Sequence, residues 1–334
     1  MKLVKLSQKR VLKEIIMNKK FLKIIELIKN PTPYFSRRQI LKYKQQLSHK
    51  IAPYSWLDDR FYLEYIFYKR FNKRLELHKP VLFPDKLQWL KLYDRNPLYT
   101  QLADKFRVRE YVQQKVGEEY LNELIGVYAH PADIDWSKLP TKFVLKANHG
   151  SRSNLICTNK HELDIKQAVA DLTAWLNTDY YAFSREWPYK HIQRLIICEA
   201  FLEGHPKWGL MDYKILCFDG KPMIIHLHVG RYTDHRVSYF DLNWNRQPYT
   251  LSGVKEIDED IPKPDNFAQM IDIASTLSQG IPYCSVDLYN TNGKIIFGEI
   301  TFTTAGGFRL FIPEKYNRVF GDLIKLPKKG LLNR

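Results

Sequence analysis

Apolar positions near the start of the chain recur at spacings of three and four: Leu3, Leu6, Leu12, Ile15, Ile16, Leu22, Ile25 and Ile28, with lysines between them. That period is helical, and it predicts a basic amphipathic helix ending at Asn30 and Pro31. From Trp56 to Leu92 the aromatics and leucines, among them Tyr62, Tyr65, Phe67, Phe71 and Leu75, suit further helices, with a break at Pro80 and Pro84. Residues 98 to 126 read as one or two more, including LADKFRVREYVQQKV. The period then changes, and VYAHPADIDWSKLP reads as a loop.

Short apolar runs bounded by turn residues follow, which is the pattern of strands. FVLKAN and NLICT predict two strands around NHGSRS. LDIKQAVADLTAWL predicts a helix with Asp164 placed to cap its start. RLIICEAFL, DYKILCFDGKPMIIHLHVG and VSYFDL predict more strands, with a hairpin turn at Asp219-Gly220. Residues 264 to 279 predict an amphipathic helix, and CSVDLYNTNGKIIFGEITF a second hairpin turning at Asn292-Gly293. A helical N-terminal third therefore precedes an α+β remainder rich in antiparallel pairs, with no internal repeat.

Charge sharpens this division. The net charge is +16, from 52 Lys+Arg against 36 Asp+Glu. Residues 1–50 hold 14 Lys+Arg and two acids, giving +12 and leaving +4 for the other 284 residues. Basic amphipathic helices suit anionic membrane surfaces or acidic polymers, and equally a surface helix with its lysines in solvent. Nucleic acid is not expected, because no motif supports it. Cys157, Cys198, Cys217 and Cys284 lie far apart and match no zinc spacing, as buried reduced thiols would. No apolar segment reaches the roughly 18 residues of a membrane span. Lys13 and Glu14 interrupt any signal-peptide core, so a cytoplasmic protein is expected.

Three features of the α+β part carry chemistry. Lys146 ends a buried strand and is followed at once by a small polar loop, a combination that cradles phosphate. Asp287 and Glu299 sit in apolar strands either side of the Asn292-Gly293 turn. An unpaired charge there is costly, whereas two carboxylates on one sheet face suit magnesium. IICEAFLEG runs a strand into a connector bearing Glu199, able to hold a purine edge.

Taken in order, LADKFRVREYV, LPTKFVLKANHGS, FSREWPY, EAFLEG, DYKILCFDGKP, YFDLNW, PYCSVDLYNTNGKIIFGEITFTTAGGF and LIKLP resemble the ATP-grasp superfamily of carboxylate–amine ligases. The resemblance is nearest to its TupA-like branch, associated with bacterial surface polysaccharide synthesis, and covers about Asp85 to Pro327. It implies two α+β subdomains that sandwich ATP, over 129–200 and 201–330, preceded by a helical region at 51–128 and the basic tail at 1–50.

The same resemblance implies the site. Lys105 and Lys146 contact phosphates, and Gly150, Ser151 and Ser153 form the loop that closes over them. Glu199 and the backbone near Leu202 hold adenine. Asp212 holds the ribose, with Glu203 as its rival. Lys214 and Arg231 contact phosphate or substrate, and Asp287 and Glu299 bind Mg²⁺. Two positions depart from the pattern. Thr301 stands where relatives commonly carry asparagine, and Ser285 where many carry arginine, which Arg231 or Arg309 would replace.

The implied reaction is ATP-dependent amide formation through an acyl phosphate. Its expected acceptor is an acidic glycan or lipid-linked oligosaccharide bearing a uronic-acid carboxyl. Its expected second substrate is an amino acid or small amine, and the basic tail is expected to hold the enzyme at the inner face of the membrane. The competing readings are a nucleotide-sugar glycosyltransferase using Asp133 and Asp135 as its metal motif, and a non-catalytic glycan- or membrane-binding module. His226, His228 and His235 read either as a metal cluster or as lining of an acceptor groove. Arg185 and Trp187 read as a sugar contact or a packed aromatic corner.

Overall fold

The computed structural model describes residues 58–327 apart from Tyr232. The basic tail at 1–50 lies outside them. The described residues fall into two compact units divided between Leu75 and Glu76. In the first, helix α1 (Asp59–Phe71) is capped by Asp58, whose carboxylate accepts from the Phe61 amide, and it ends at Asn72 with a left-handed φ of 52°.

The second unit opens with α2 (Phe83–Tyr93), whose Pro84 starts the helix instead of breaking one, because proline lacks only an amide that the first turn leaves unused. Helices α3 (Leu98–Ala103) and α4 (Val108–Lys115) follow. Strand β1 (Leu124–Tyr128) then corrects the sequence reading, which placed helix and loop here. Its run LIGVY is interrupted by Gly126, which weakens the strand pattern, yet a Cβ there would stand 2.3 Å from the Tyr128 hydroxyl.

Strands β2 (Phe143–Ala147), β3 (Asn154–Cys157) and β4 (Ile196–Ala200) join β1 in an antiparallel sheet of order β1-β4-β2-β3. Helix α5 (Ile165–Asn177) is capped by Asp164 as expected, and covers the face bearing Phe143, Leu145, Ile196 and Cys198 with Leu172. A short helix α6 (Tyr180–Ser184) leads out of it.

The larger sheet has the order β11-β10-β5-β6-β7-β9, from β5 (Asp212–Phe218), β6 (Lys221–Val229), β7 (Arg236–Phe240), β9 (Lys255–Glu256), β10 (Tyr283–Thr291) and β11 (Lys294–Thr301). Both predicted hairpins form. Asp219-Gly220 and Asn292-Gly293 each place two consecutive residues at positive φ, 53° and 74°, then 52° and 76°, as a two-residue turn matched to strand twist requires. Helix α7 (Phe267–Leu277) packs on the face formed by Tyr213, Ile215, Cys217, Ile225, Leu227, Val286 and Leu288.

The opposite face is roofed at one end by aromatics. Strand β12 (Phe311–Ile312), paired with β8 (Thr250–Leu251), and helix α8 (Lys315–Leu323) bring Phe311, Phe320 and Tyr249 over Tyr239, and Phe83 of α2 meets Tyr283 at 5.2 Å. The other end of that face is polar. All four cysteines are buried free thiols. No described helix is long and apolar enough to cross a membrane.

Candidate active site

Strand alternation explains why the polar end of the sheet collects charge. With Tyr213, Ile215 and Cys217 buried beneath α7, Asp212 and Lys214 of β5 must face the other way. Register places Lys214 opposite both Asp287 of β10 and His226 of β6, and Asp212 opposite His228. Glu299 is the cross-strand partner of Asp287.

That last pairing depends on a bulge. Phe297 and Glu299 are two apart on β11 and would share a face in a regular strand, yet Phe297 belongs to the apolar core beneath α7. The register jumps from Asp287↔Glu299 to Leu288↔Phe297, leaving Gly298 as the extra residue. A bulge of this kind re-aims the following side chain. Glu299 thereby joins Asp287 on the polar face.

The carboxylates are held by cations. Lys214 bonds Asp287 and lies 3.4 Å from Asp212, which also pairs with Arg231. Lys105 Nζ is 2.9 Å from Glu299 Oε2. Ser285 donates its hydroxyl to Asp287, and Thr301 approaches Glu299 at 3.4 Å. Burial pushes Asp287 up to about 7, against the pull of Lys214. Lys105 beside Glu299 holds that carboxyl well below its ordinary value. Burial works to lower Lys214, but Asp212 and Asp287 outweigh it and keep the ammonium charged.

Lys105 reaches Glu299 because its backbone is anchored. Its amide donates to the Asn148 carbonyl at 3.1 Å, and the fully buried Asn148 side chain donates to Asp104 at 2.8 Å and accepts from the Leu195 amide at 2.8 Å. Asp104 in turn accepts from the amides of Phe106 and Arg107, shaping the entry to α4. One asparagine thus ties the Lys105 segment to the end of β2, where Lys146 projects, and to the start of β4. Lys146 Nζ meets Glu199 Oε2 at 2.6 Å, with Arg109 on the other oxygen at 3.4 Å.

The loop after Lys146 is packed. Gly150 is buried under the Tyr180 ring, 3.0 Å from where its Cβ would be, while Ser151 is exposed and Ser153 half-buried. Tyr180 is raised by burial and feels Glu186, Glu299 and Ser151, so this loop stands close to the carboxylates.

A four-stranded antiparallel sheet and a six-stranded sheet that is antiparallel except at its β7–β9 edge each meet a lysine beside a carboxylate, and the larger carries the cross-strand pair Asp287–Glu299. The chain matches the family described as TupA-like ATPgrasp over residues 85–325, nearly three quarters of its length. The chain belongs to that family. Solved structures similar to it include D-alanine–D-alanine ligase from Bacillus anthracis complexed with ATP, at 16% identity and TM-score 0.37, covering 67% of this chain and 63% of that one. A RimK domain protein ATP-grasp from Sphaerobacter thermophilus is similar at 9% identity and TM-score 0.39, covering 70% of each. The chain therefore spans about three fifths of that D-alanine ligase. No curated protein matches.

In this ATP-grasp chain Lys105, Glu299, Asp287, Lys214, Asp212, Arg231 and Thr301 come together on one sheet face, and Lys146 with Glu199 on the other sheet. Leu202 lies half-buried in the connector after β4. Glu203, the alternative ribose residue, instead pairs with Lys142 at 2.6 Å on the surface. Asp212 is buried, and its Oδ1 has no hydrogen-bond partner among the described residues. Arg309 is not brought to the carboxylates. It bonds the Ser252 carbonyl at 2.8 Å and stands near His235.

No group of three or more His, Cys, Asp or Glu side chains among the described residues is arranged to hold a metal, which removes the histidine-cluster reading. Asp287 and Glu299 are a pair, and Mg²⁺ needs no more than one or two carboxylates where phosphates and waters complete its shell. Arg185 is fully buried and Arg95 lies over the Trp187 ring, so both residues are packed against the body, while Phe183 of the same phrase is exposed. Asp133 accepts from the His130 amide, and Asp135 bonds Ser137 and Lys138, so both shape a turn. The sequence reading missed Asp104, Asn148 and Tyr180. All three lie inside or beside the quoted phrases, and a buried asparagine between a strand lysine and a glycine was their only signal.

Proposed function

We propose that this protein is an ATP-dependent carboxylate–amine ligase that uses Mg-ATP to join an amino acid or other small amine to a uronic-acid carboxyl of a bacterial surface polysaccharide. The family supports the ATP-dependent class, and the TupA-like branch suggests the glycan. The observation that carries the reading is the Asp287–Glu299 pair, re-aimed by the Gly298 bulge and balanced by Lys214 and Lys105. Carboxylates already held by ammonium groups form a site for cations, and the same ammonium groups are positioned to move onto phosphate.

Mg²⁺ held by Asp287 and Glu299, with Thr301 beside them, would neutralise triphosphate charge. Lys105 and Lys146 hold phosphate oxygens, and Glu199 and the Leu202 backbone receive the adenine edge. The unpartnered Asp212 Oδ1 accepts from a ribose hydroxyl. The substrate carboxylate takes the γ-phosphoryl group and ADP departs, after which the amine displaces phosphate. Arg231 and Lys214 stabilise the charge that develops. The Gly150 loop under Tyr180 excludes water that would hydrolyse the activated acid.

The test is incubation with Mg²⁺, ATP, mixed amino acids and uronic-acid oligosaccharides, following phosphate release and new masses, with Glu299→Gln beside the wild type. Expected are ADP, phosphate and a condensation product together, reduced by roughly 10²-fold or more in the variant. Consumption of nucleotide sugars with ATP intact would replace the ligase by a glycosyltransferase. Binding of Mg-ATP with no turnover on any acceptor would make the chain a binding module.

A further inference from the structure

The polar sheet face and the loop beside it carry three imidazoles that the nucleotide reading does not use, His226, His228 and His235, and the last two touch. His228 of β6 lies opposite Asp212, and its Nδ1 is 2.9 Å from Nε2 of His235 in the loop to β7. One of these nitrogens donates and the other accepts, so the two rings cannot both be fully protonated. The outer ends differ. His228 Nε2 is buried with no hydrogen-bond partner among the described residues, whereas His235 is exposed. A buried orphan nitrogen in a polar groove asks for a ligand atom or water.

The groups facing the pair come from every side: Lys214 and Asp212 from β5, Arg231 from the same loop, His226 from β6 and Arg309 from the segment before β12. Burial, with these cations, lowers both imidazoles, which are therefore free bases at neutral pH. His226 is the residue directly two strands across from Asp287 of β10, and His228 lies one row further along, roughly 12 Å from Asp287 at the usual strand spacing and rise.

We propose that His228 takes the proton from the incoming amine and that His235 conducts it to solvent. This rests on the ligase reading and assigns its second half-reaction. With the proton of His228 on Nδ1, the Nε2 lone pair accepts a proton from the ammonium. The Nδ1 proton passes to His235 Nε2, and the proton on His235 Nδ1 leaves to water. The amine nitrogen uses the electron pair thus freed to form the bond to the acyl carbon, the bond from that carbon to the phosphate oxygen breaks, and the second nitrogen proton leaves on the departing phosphate. His228 is the catalytic residue of this step and His235 a positioning and relay residue.

Nitrogen-15 spectra of the full-length protein, with histidine signals assigned through His228→Gln and His235→Gln, test the wiring without any acceptor. At pH 7 the expected signal is a neutral His228 protonated on Nδ1. A His228 protonated on Nε2, or one charged at pH 7, overturns the relay. Kinetics test its use with glucuronic-acid oligosaccharide and Mg-ATP, comparing glycine with hydroxylamine, which is already unprotonated at neutral pH. His228→Gln is expected to slow the glycine reaction roughly 100-fold while the hydroxylamine reaction falls far less. His235→Gln is expected to give a smaller loss, partly recovered by free imidazole, with its acid limb moved to higher pH. Equal losses with both amines overturn the proposal. A wild type that activates no carboxyl for either amine counts against the ligase reading on this acid, and the nitrogen-15 result still decides the relay.

Discussion

Three carboxylates, Asp212, Asp287 and Glu299, face three cations, Lys105, Lys214 and Arg231, so the site is balanced in formal charge before any ligand enters. Lys105 is the member whose removal should separate binding from folding, because its ion pair is partly exposed while the Lys214 pair is buried. Lys105→Met is expected to weaken a non-hydrolysable Mg-ATP analogue by about 10- to 100-fold, as loss of one charge-assisted hydrogen bond implies. Calorimetric titration checks it, and an unchanged affinity would remove Lys105 from the phosphate site. Asp287 makes a separate prediction about pH. Its folded value is raised to about 7 by burial, so the folded state holds a proton that the unfolded chain sheds near pH 4. Its stabilising contribution is complete below that range and is lost as pH rises through about 7, at up to about 1.4 kcal/mol per pH unit. Asp287→Asn should flatten the fall in stability between pH 5 and 7 in denaturant titrations. The charged residues were legible because they interrupt apolar strands. Their partners were not, since Lys105 and Glu299 lie 194 positions apart.

Among elements, those specified by local chemistry were readable and those specified by packing were not. The two hairpins announce themselves through Asp-Gly and Asn-Gly, and α5 through its aspartate cap. Strand β1 stays hidden because Gly126 breaks its run, and its place is set by pairing with β4. The Gly298 bulge is equally invisible, since FGEIT reads as an ordinary strand whose alternation would put Glu299 on the apolar face. Its presence follows from two demands: Phe297 must pack beneath α7, and a carboxylate cannot be buried there unpaired. Gly298→Val probes the bulge directly. A Cβ at 298 stands 3.1 Å from the Asp287 carbonyl and 3.2 Å from the Tyr289 ring, so overpacking of about 1–3 kcal/mol is expected. Mg-ATP should then stabilise the variant less than the wild type in thermal melts. Equal stabilisation would show that the bulge does not set the carboxylate geometry.

At the scale of the whole molecule the charge and the chemistry lie in different places. The candidate site belongs entirely to the unit Glu76–Arg334, whereas residues 1–50 carry +12 of the +16 net charge. Each lysine or arginine near an anionic surface contributes about 1 kcal/mol, and the attraction fades within a Debye length. Removing residues 1–50 should therefore leave thermal stabilisation by Mg-ATP unchanged, because every residue assigned to the nucleotide site lies in Glu76–Arg334. The same truncation should abolish co-sedimentation with phosphatidylserine-containing vesicles, which the full chain is expected to show at low salt and to lose progressively as salt is raised. Neutral phosphatidylcholine vesicles should bind neither protein, which separates charge from apolar insertion. Equal binding of both proteins to anionic vesicles would place the attraction on the remaining 284 residues, whose net charge of +4 is too small for it without a local patch. Binding that persists at high salt would instead mean that the leucines and isoleucines of the tail, and not its lysines, hold the protein to the surface.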